Sequence, residues 1–124
     1  MKVSVVSILF VVFAAFAHAQ RATELYTPIG RSPGLSGTLT VIGTIESFDE
    51  ESGLLEVRTE SGTVAATVTD RCRIYLDRSK LQERNAYGKP EDLVEGRRVE
   101  ILYENREERT EGPAEWIKIG IDER

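Results

Sequence analysis

The stretch "GTLTVIGTIESFDEESGLLEVRTESGTVAATV", residues 37–68, decides the fold, because three alternating apolar runs follow one another across two short turns. Gly43 and the three-residue step from Ile45 to Phe48 break the alternation of the first run. Such a break predicts a bulge or a sharp bend, as in a strand that curls around a small barrel. The inward face of this run carries Leu39, Val41 and Ile45.

The second and third runs are "LLEVRT", residues 54–59, and "TVAATV", residues 63–68. Leu55 and Val57 face inward in the second run, which has the period of two that is typical of a half-buried strand. The links "DEESG" and "ESG" are too short for any connection other than a hairpin. Residues 37–68 therefore predict a three-stranded β-meander.

A less regular segment follows, over residues 70–93. "CRIYL" could continue the third strand or begin a short new strand after a kink. Asp77 or Ser79 could cap a turn or two of helix through about Arg84. "KPEDL" predicts one helical turn with Pro90 at its first position.

The chain closes with two further strands, "RRVEILYE" at residues 97–104 and "AEWIKIGI" at residues 114–121, on either side of a charged loop. A meander, an irregular connection and a final hairpin are the order of OB-type barrels. We therefore predict an all-β fold, a small five- to six-stranded OB-like barrel over residues 37–122, with a short helical connection between strands 3 and 4. An SH3-like barrel is the alternative.

The amino terminus has the pattern of a secretory signal peptide. One charge at Lys2 precedes an apolar run, which ends at the small-residue cleavage pattern Ala17-His18-Ala19. The run is shorter than the roughly 20 apolar residues of a spanning helix. We therefore expect residues 1–19 to be removed and the protein to be periplasmic or secreted, with no stable membrane insertion. Residues 20–36 hold two prolines and no apolar period, which predicts a flexible leader.

The run from "GTIESF" through "VRTESG", then "PEDLVEGRRVEILYE" and "AEWIKI", resembles a family of small exported bacterial OB-like β-barrel domains of unknown function. The resemblance implies the same fold over about residues 37–121. Its motifs are turn glycines and core positions, so it implies no catalytic or binding residues. The matching positions are Gly43, Val57, Thr59, Gly62, Asp92, Leu93, Gly96, Val99, Ile101, Ala114, Ile117 and Ile119.

Missing residue types exclude several chemistries. The single histidine is His18 and the single methionine is Met1, and both lie within the expected signal peptide. Nucleophilic catalysis of the Cys–His or Ser–His type needs an imidazole base, and copper sites of OB barrels use histidine and methionine. We therefore expect no enzyme activity, no cofactor and no soft-metal site. A hard cation could still use Asp49, Glu50 and Glu51, although their spacing does not match an EF-hand.

Cys72 is the single cysteine of the chain. It has the strand parity of Val68 and Ile74, so a continuous strand would turn it inward as a small buried hydrophobe. Two other hypotheses for Cys72 are an intermolecular disulfide and a thiol made reactive by Arg71 and Arg73.

The net charge of −5 and the few aromatic residues argue against nucleic acid as a partner. Aromatic residues could instead line a face for sugar or peptide. The candidate contacts are Trp116, Tyr75, Tyr87 and Tyr103. Trp116 is out of phase with Ile117 and Ile119, so it lies on the outer surface, where it contacts a ligand, covers the barrel end or packs against the leader.

These observations predict an exported, non-enzymatic binding module of the cell envelope, with an envelope protein or an oligosaccharide-like ligand as its unidentified partner. The alternative function is a structural or assembly accessory domain, acting through a strand edge or self-association. A hard-cation-binding module is the third.

Overall fold

The computed structural model describes residues 23–123. The expected signal peptide, residues 1–19, lies outside the described residues. The seven strands are β1 (Thr40–Asp49), β2 (Leu54–Thr59), β3 (Gly62–Thr67), β4 (Arg73–Asp77), β5 (Ala86–Tyr87), β6 (Arg98–Tyr103) and β7 (Ala114–Gly120).

All seven strands form one sheet in the order β3-β2-β1-β6-β7-β4-β5. The pairs are antiparallel except β4 with β7, which is parallel. Strand β3 lies at one end of this order and β4 lies next to the other end, although only residues 68–72 separate them in the chain. This short connection therefore brings the two ends of the sheet close together. The loop before β7 also pairs with β3, since the amides of Ala65 and Thr67 donate to the carbonyls of Thr110 and Gly112, each at 2.9 Å.

This topology confirms the OB-like barrel. A three-stranded meander comes first, β1 is shared between β2 and β6, and β4 runs parallel to the last strand, β7. The parallel pair needs a long crossover, which the irregular segment before β6 supplies. A barrel built only from successive hairpins, as in the SH3-like alternative, would not contain it.

The predicted bend in β1 is confirmed. The amino-terminal half of the strand pairs with β6 and the carboxyl-terminal half with β2, and the register shifts between Ile45 and Ser47. Gly43 lies at the changeover, where a Cβ atom would collide with the carbonyl oxygen of Arg58 and lie 2.7 Å from Val57 Cγ1. The absence of a side chain therefore lets β2 approach β1 at the curl.

The inward face forms one apolar core. Its most deeply buried members come from β1, β2, β3, β6 and β7. They include Ile45, Leu55, Val57, Val99, Ile101, Ile117 and Ile119. The alternation predicts this face except at Leu39, which was expected to point inward but packs on the outer face, because it precedes β1 and still belongs to a turn in which its amide donates to the carbonyl of Leu35.

The connection between the third and fourth predicted strands contains β4, β5 and two 3₁₀ turns, Ser79–Leu81 and Pro90–Asp92. Neither Asp77 nor Ser79 caps the first turn, because its N-cap position is Arg78 and it has no side-chain cap hydrogen bond. Asp77 instead fixes the chain just ahead of the turn, since its Oδ1 accepts bonds from the amide and the hydroxyl of Ser79 at 3.0 and 2.6 Å. The turn ends before Arg84 because Gln82 adopts a left-handed conformation with φ of 55°. The short helical connection is thus confirmed.

Residues 23–39, here called the strap, lie across the outer face of the sheet. Leu25, Leu35 and Leu39 pack against an apolar cluster of Tyr75, Leu102 and Trp116 on this face. The part of the expected flexible leader that the structure describes is therefore packed on the barrel. Periodicity does not reveal this packing, because the strap is built from turns and its contacts do not recur at a fixed spacing.

Candidate functional site: a charged cleft beside the strap

Strand register places two rows of side chains on the outer face. In one row Glu100 lies opposite Lys118, and Lys118 lies opposite Tyr75. In the adjacent row Trp116 lies between Leu102 and Arg73. The strap covers most of both rows, and the cleft opens where its cover ends.

A buried ion pair ties the strap to the first row. Lys118 Nζ lies 3.2 Å from Glu24 Oε2 and donates to Ser32 Oγ at 2.8 Å, while Ser32 Oγ donates to Glu24 Oε2 at 3.0 Å. The ammonium also lies 4.7 Å from the centroid of the Trp116 ring, within the range of a cation–π contact. Since the side chains of Lys118 and Glu24 are only 1% and 6% exposed, each charge depends on the other for compensation.

Glu100 is a second buried carboxylate that holds the strap. Its Oε1 accepts a bond from the amide of Gly30 at 2.9 Å. Its Oε2 accepts bonds from the hydroxyls of Ser36 and Thr40 at 2.6 and 2.7 Å. A carboxylate with three donors is well satisfied without water, so this contact fixes the middle of the strap.

The cleft has a volume of about 450 Å³, within the range of small-ligand sites. Its floor is apolar and its walls are charged. The floor consists of Leu35, Tyr75, Leu102 and Trp116. The walls consist of Glu24, Arg71, Arg73, Glu104, Arg106 and Glu115.

Two of the three wall arginines are paired with glutamates. Arg71 Nε and Nη2 lie 3.1 and 3.3 Å from the two carboxylate oxygens of Glu104. Arg106 Nη2 lies 3.3 and 3.4 Å from the two carboxylate oxygens of Glu115. Each pair balances one positive and one negative charge of the wall.

Arg73 is different from the other wall arginines. Within residues 23–123, no carboxylate oxygen lies within 4 Å of its guanidinium nitrogens. Burial raises the pKa of the Tyr75 hydroxyl, and the positive charge of the nearby Arg73 partly opposes that rise. Arg73 is exposed, so its remaining donors can reach a ligand.

Three of the four aromatic residues singled out in the sequence lie in contact, since the Tyr75 ring packs against the rings of both Trp116 and Tyr87, whereas Tyr103 lies apart from them. Trp116 and Tyr75 line the cleft but are only 4% and 2% exposed. Tyr103 lies in the core, where its hydroxyl donates to the carbonyl of Ala65 at 2.8 Å and burial raises its pKa to about 12. Tyr87 is 66% exposed on β5, with its ring centroid 5.8 Å from that of Tyr75, and it does not line the cleft.

Sequence reasoning missed the wall arginines as site residues. The sequence suggests Arg71 and Arg73 only as residues that could activate the thiol of Cys72. The signal was present in "RCRIY", where Arg73 and Tyr75 alternate with Ile74 and so fall on the outer face. Arg106, by contrast, lies in a loop, where no periodicity could assign it to this face.

Cys72 is half-buried and packs against the core, with no disulfide partner. It lies in a turn and not in a continuous strand, since its amide donates to the carbonyl of Thr69 at 3.0 Å and β4 begins one residue later. Burial, with a smaller effect from Glu104, raises the pKa of its thiol to about 12. The adjacent arginines therefore do not activate this thiol.

The acidic turn offers little to a hard cation. Asp49 Oδ1 accepts the amide of Glu51 at 3.0 Å, which is a local turn contact. Across residues 23–123, no three His, Cys, Asp or Glu side chains stand close enough together to hold a metal ion. The hard-cation-binding function therefore has no geometric support in this part of the chain.

Comparison with known proteins finds two similar solved structures. One is CusF with Ag(I), at 12% identity and a TM-score of 0.43, covering 64% of this chain and 93% of that one. The other is a tryptophan-to-alanine variant of CusF from Escherichia coli with Cu(II), at 12% identity and a TM-score of 0.42, covering 65% and 89%. No family model and no curated protein matches the chain. The family resemblance noted in the sequence therefore stays a prediction.

Between residues 23 and 123, no helix has the length and apolar character needed to cross a membrane.

Proposed function

We propose that the protein is an exported, non-enzymatic binding module of the cell envelope, and that the cleft beside the strap is its binding site. The observation that carries this proposal is the composition of the cleft, which has an apolar floor and three arginines among its wall residues. Ligand sites typically combine apolar lining with a few fixed polar groups. The ion pairs with Glu104 and Glu115 keep two of these groups in fixed positions.

An envelope protein and an oligosaccharide-like molecule remain the two candidate partners of the module. Enzyme activity has no support in the cleft, because catalysis by a nucleophile needs a base beside it. The cleft lining contains no histidine, cysteine or serine. Each of its three carboxylates is already paired with a cation of the protein.

Binding of Ag(I) or Cu(II), as in the CusF structures, does not transfer to this chain. Soft metals need several soft or imidazole donors. Cys72 is the single thiol, and no histidine or methionine follows residue 18. We therefore expect neither ion to raise the melting temperature when added at one equivalent.

The accessory function through a strand edge has less surface available. The outer edge of β3 is already paired with residues 110–112, and β5 at the other end of the sheet order is only two residues long. Such a short edge supports few additional backbone hydrogen bonds.

Trp116 is the single tryptophan, so its fluorescence reports directly on the floor of the cleft. The experiment titrates the protein from residue 20 onward with chitohexaose, digalacturonate and the tripeptide Ala-Ala-Phe, followed by fluorescence and by two-dimensional NMR. We expect at least one probe to shift the resonances of cleft residues in a saturable manner. Leu35→Phe, which fills the cleft, should abolish the shifts, and Val94→Phe, at an exposed site outside the cleft, should not. Shifts that are absent for all probes, or that survive in Leu35→Phe, would refute the assignment.

A further inference from the structure

We infer that the cleft selects small ligands that carry a carboxylate, and that Arg73 is the residue that binds this carboxylate. The inference rests on the proposed function, because it names the ligand class of the same cleft. It depends on the charge balance of the wall, on the burial of the floor and on the size of the cavity.

When the charged groups of the cleft are paired with one another, one cation, Arg73, is left without a carboxylate partner among the described residues. Glu104 is paired with Arg71, Glu115 with Arg106, and Glu24 with Lys118. Arg73 is the remaining charged group of the wall, and it has no carboxylate partner within residues 23–123. The three wall arginines and the buried Lys118 therefore face three wall glutamates, which leaves one positive charge without a partner on a chain whose net charge is −5. One anionic group on the ligand would complete the pairing pattern.

The nature of the cation favours a carboxylate. A guanidinium presents parallel N–H donors that match the two oxygens of a carboxylate. The neighbouring pairs already use this geometry, since Arg71 engages both oxygens of Glu104. A phosphate could form the same bonds, but its second negative charge would face Glu104 and Glu115 with only one free cation available.

The floor disfavours recognition of a neutral sugar by stacking. Trp116 is 4% exposed, and the Lys118 ammonium lies 4.7 Å from its ring centroid. Tyr75 is 2% exposed and packs edge-on against Trp116, with centroids 6.4 Å apart. Little aromatic surface therefore remains for a sugar ring, and the charged wall supplies most of the groups that can bind a ligand.

The test compares phenylacetate with phenylacetamide, which differ in the carboxylate and have similar size. NMR titration of the protein from residue 20 onward should give a dissociation constant at least about tenfold lower for the acid, because charge-assisted bonds to a guanidinium are about twice as strong as neutral ones. Raising the salt concentration should weaken binding of the acid and leave binding of the amide unchanged.

Three variants assign the effect to Arg73. Arg73→Gln should remove the preference for the acid, and Arg73→Lys should restore part of it, because a lysine keeps the charge but loses the two-point geometry. Arg84→Gln is the matched control, since Arg84 is exposed and lies outside the cleft. Both sites are on the surface, so each of the three variants should melt close to the wild type.

The outcomes separate this inference from the proposed function. Equal binding of the acid and the amide, or an acid preference that survives Arg73→Gln, overturns the carboxylate inference and leaves the cleft as a binding site. Failure of every probe to shift the cleft overturns both. If the acid is preferred, Ala-Ala-Phe and digalacturonate, each compared with its amide, show whether the carboxylate is carried by a peptide terminus or by a sugar acid.

Discussion

Gly43 is the residue at which β1 passes from β6 to β2, and its lack of a side chain is a packing requirement. Gly43→Ala should lower the free energy of unfolding by about 1–3 kcal/mol, because the new Cβ would collide with the backbone carbonyl of Arg58. Urea denaturation measures this effect. Gly120→Ala is the control, because its Cβ would come no closer than 3.4 Å to any heavy atom, and it should cost less than about 1 kcal/mol. Equal costs for the two variants would refute the close approach.

Cys72 should behave as a protected thiol. With a pKa of about 12, almost none of it is thiolate near neutral pH, so labelling by a thiol reagent at pH 8 should be much slower for the native protein than in urea. Cys72→Ser should cost about 1 kcal/mol and Cys72→Ala less, because the serine hydroxyl needs a partner beside the core. Native labelling at the unfolded rate, or a disulfide-linked dimer as the main species, would show that the thiol is free at the surface.

The strap differs most from the sequence prediction, because a flexible leader was expected and the structure shows this segment packed on the barrel. It contributes the buried Glu24 to an ion pair with Lys118, and breaking such a pair leaves an uncompensated buried charge. Glu24→Gln should therefore cost about 3–5 kcal/mol in a urea melt. The double variant Glu24→Gln with Lys118→Met should cost less than the sum of the two single variants, because it leaves neither charge unpaired.

Glu46→Gln is the control for the strap experiment, because its partner Arg58 is 66% exposed and the two are 3.8 Å apart. It should cost less than about 1 kcal/mol. Trp116 fluorescence, followed in the same samples, should shift to longer wavelength if the strap detaches before the barrel unfolds. Additive effects of Glu24→Gln and Lys118→Met would mean that the strap is held by its other contacts.

The fold of the whole molecule could be predicted because its strands alternate and its turns are short. Val57 and Ile117 reveal the inward face by their period, and Gly43 reveals the bend. The cleft could not be predicted in the same way. Its walls combine Arg73 from β4, Glu115 from β7 and Arg106 from a loop, and only the three-dimensional pairing of β4 with β7 brings these distant residues together. The burial of Trp116 depends on the strap, whose apolar residues do not recur at a regular spacing in the sequence.

The stability of the whole molecule should fall in alkaline solution. The pKa values of Cys72 and Tyr103 are raised to about 12 by burial, and that of Tyr75 is raised as well. In the unfolded chain these groups lose their protons near their ordinary pKa values of about 9–10, whereas in the folded chain Cys72 and Tyr103 keep them until about pH 12. Between these limits the unfolded state binds fewer protons, so the free energy of unfolding decreases as the pH rises.

Urea denaturation at pH 8 and pH 11 should therefore show a loss of at least about 1 kcal/mol. Tyr103→Phe should reduce that loss, although the variant is less stable at pH 8 by about 1 kcal/mol because the hydrogen bond to the carbonyl of Ala65 is missing. Tyr26→Phe, at a tyrosine that is 66% exposed, should leave the loss unchanged. A stability that is constant from pH 8 to pH 11 in the wild type would mean that the Tyr103 hydroxyl and the Cys72 thiol ionise in the folded barrel as easily as in the unfolded chain.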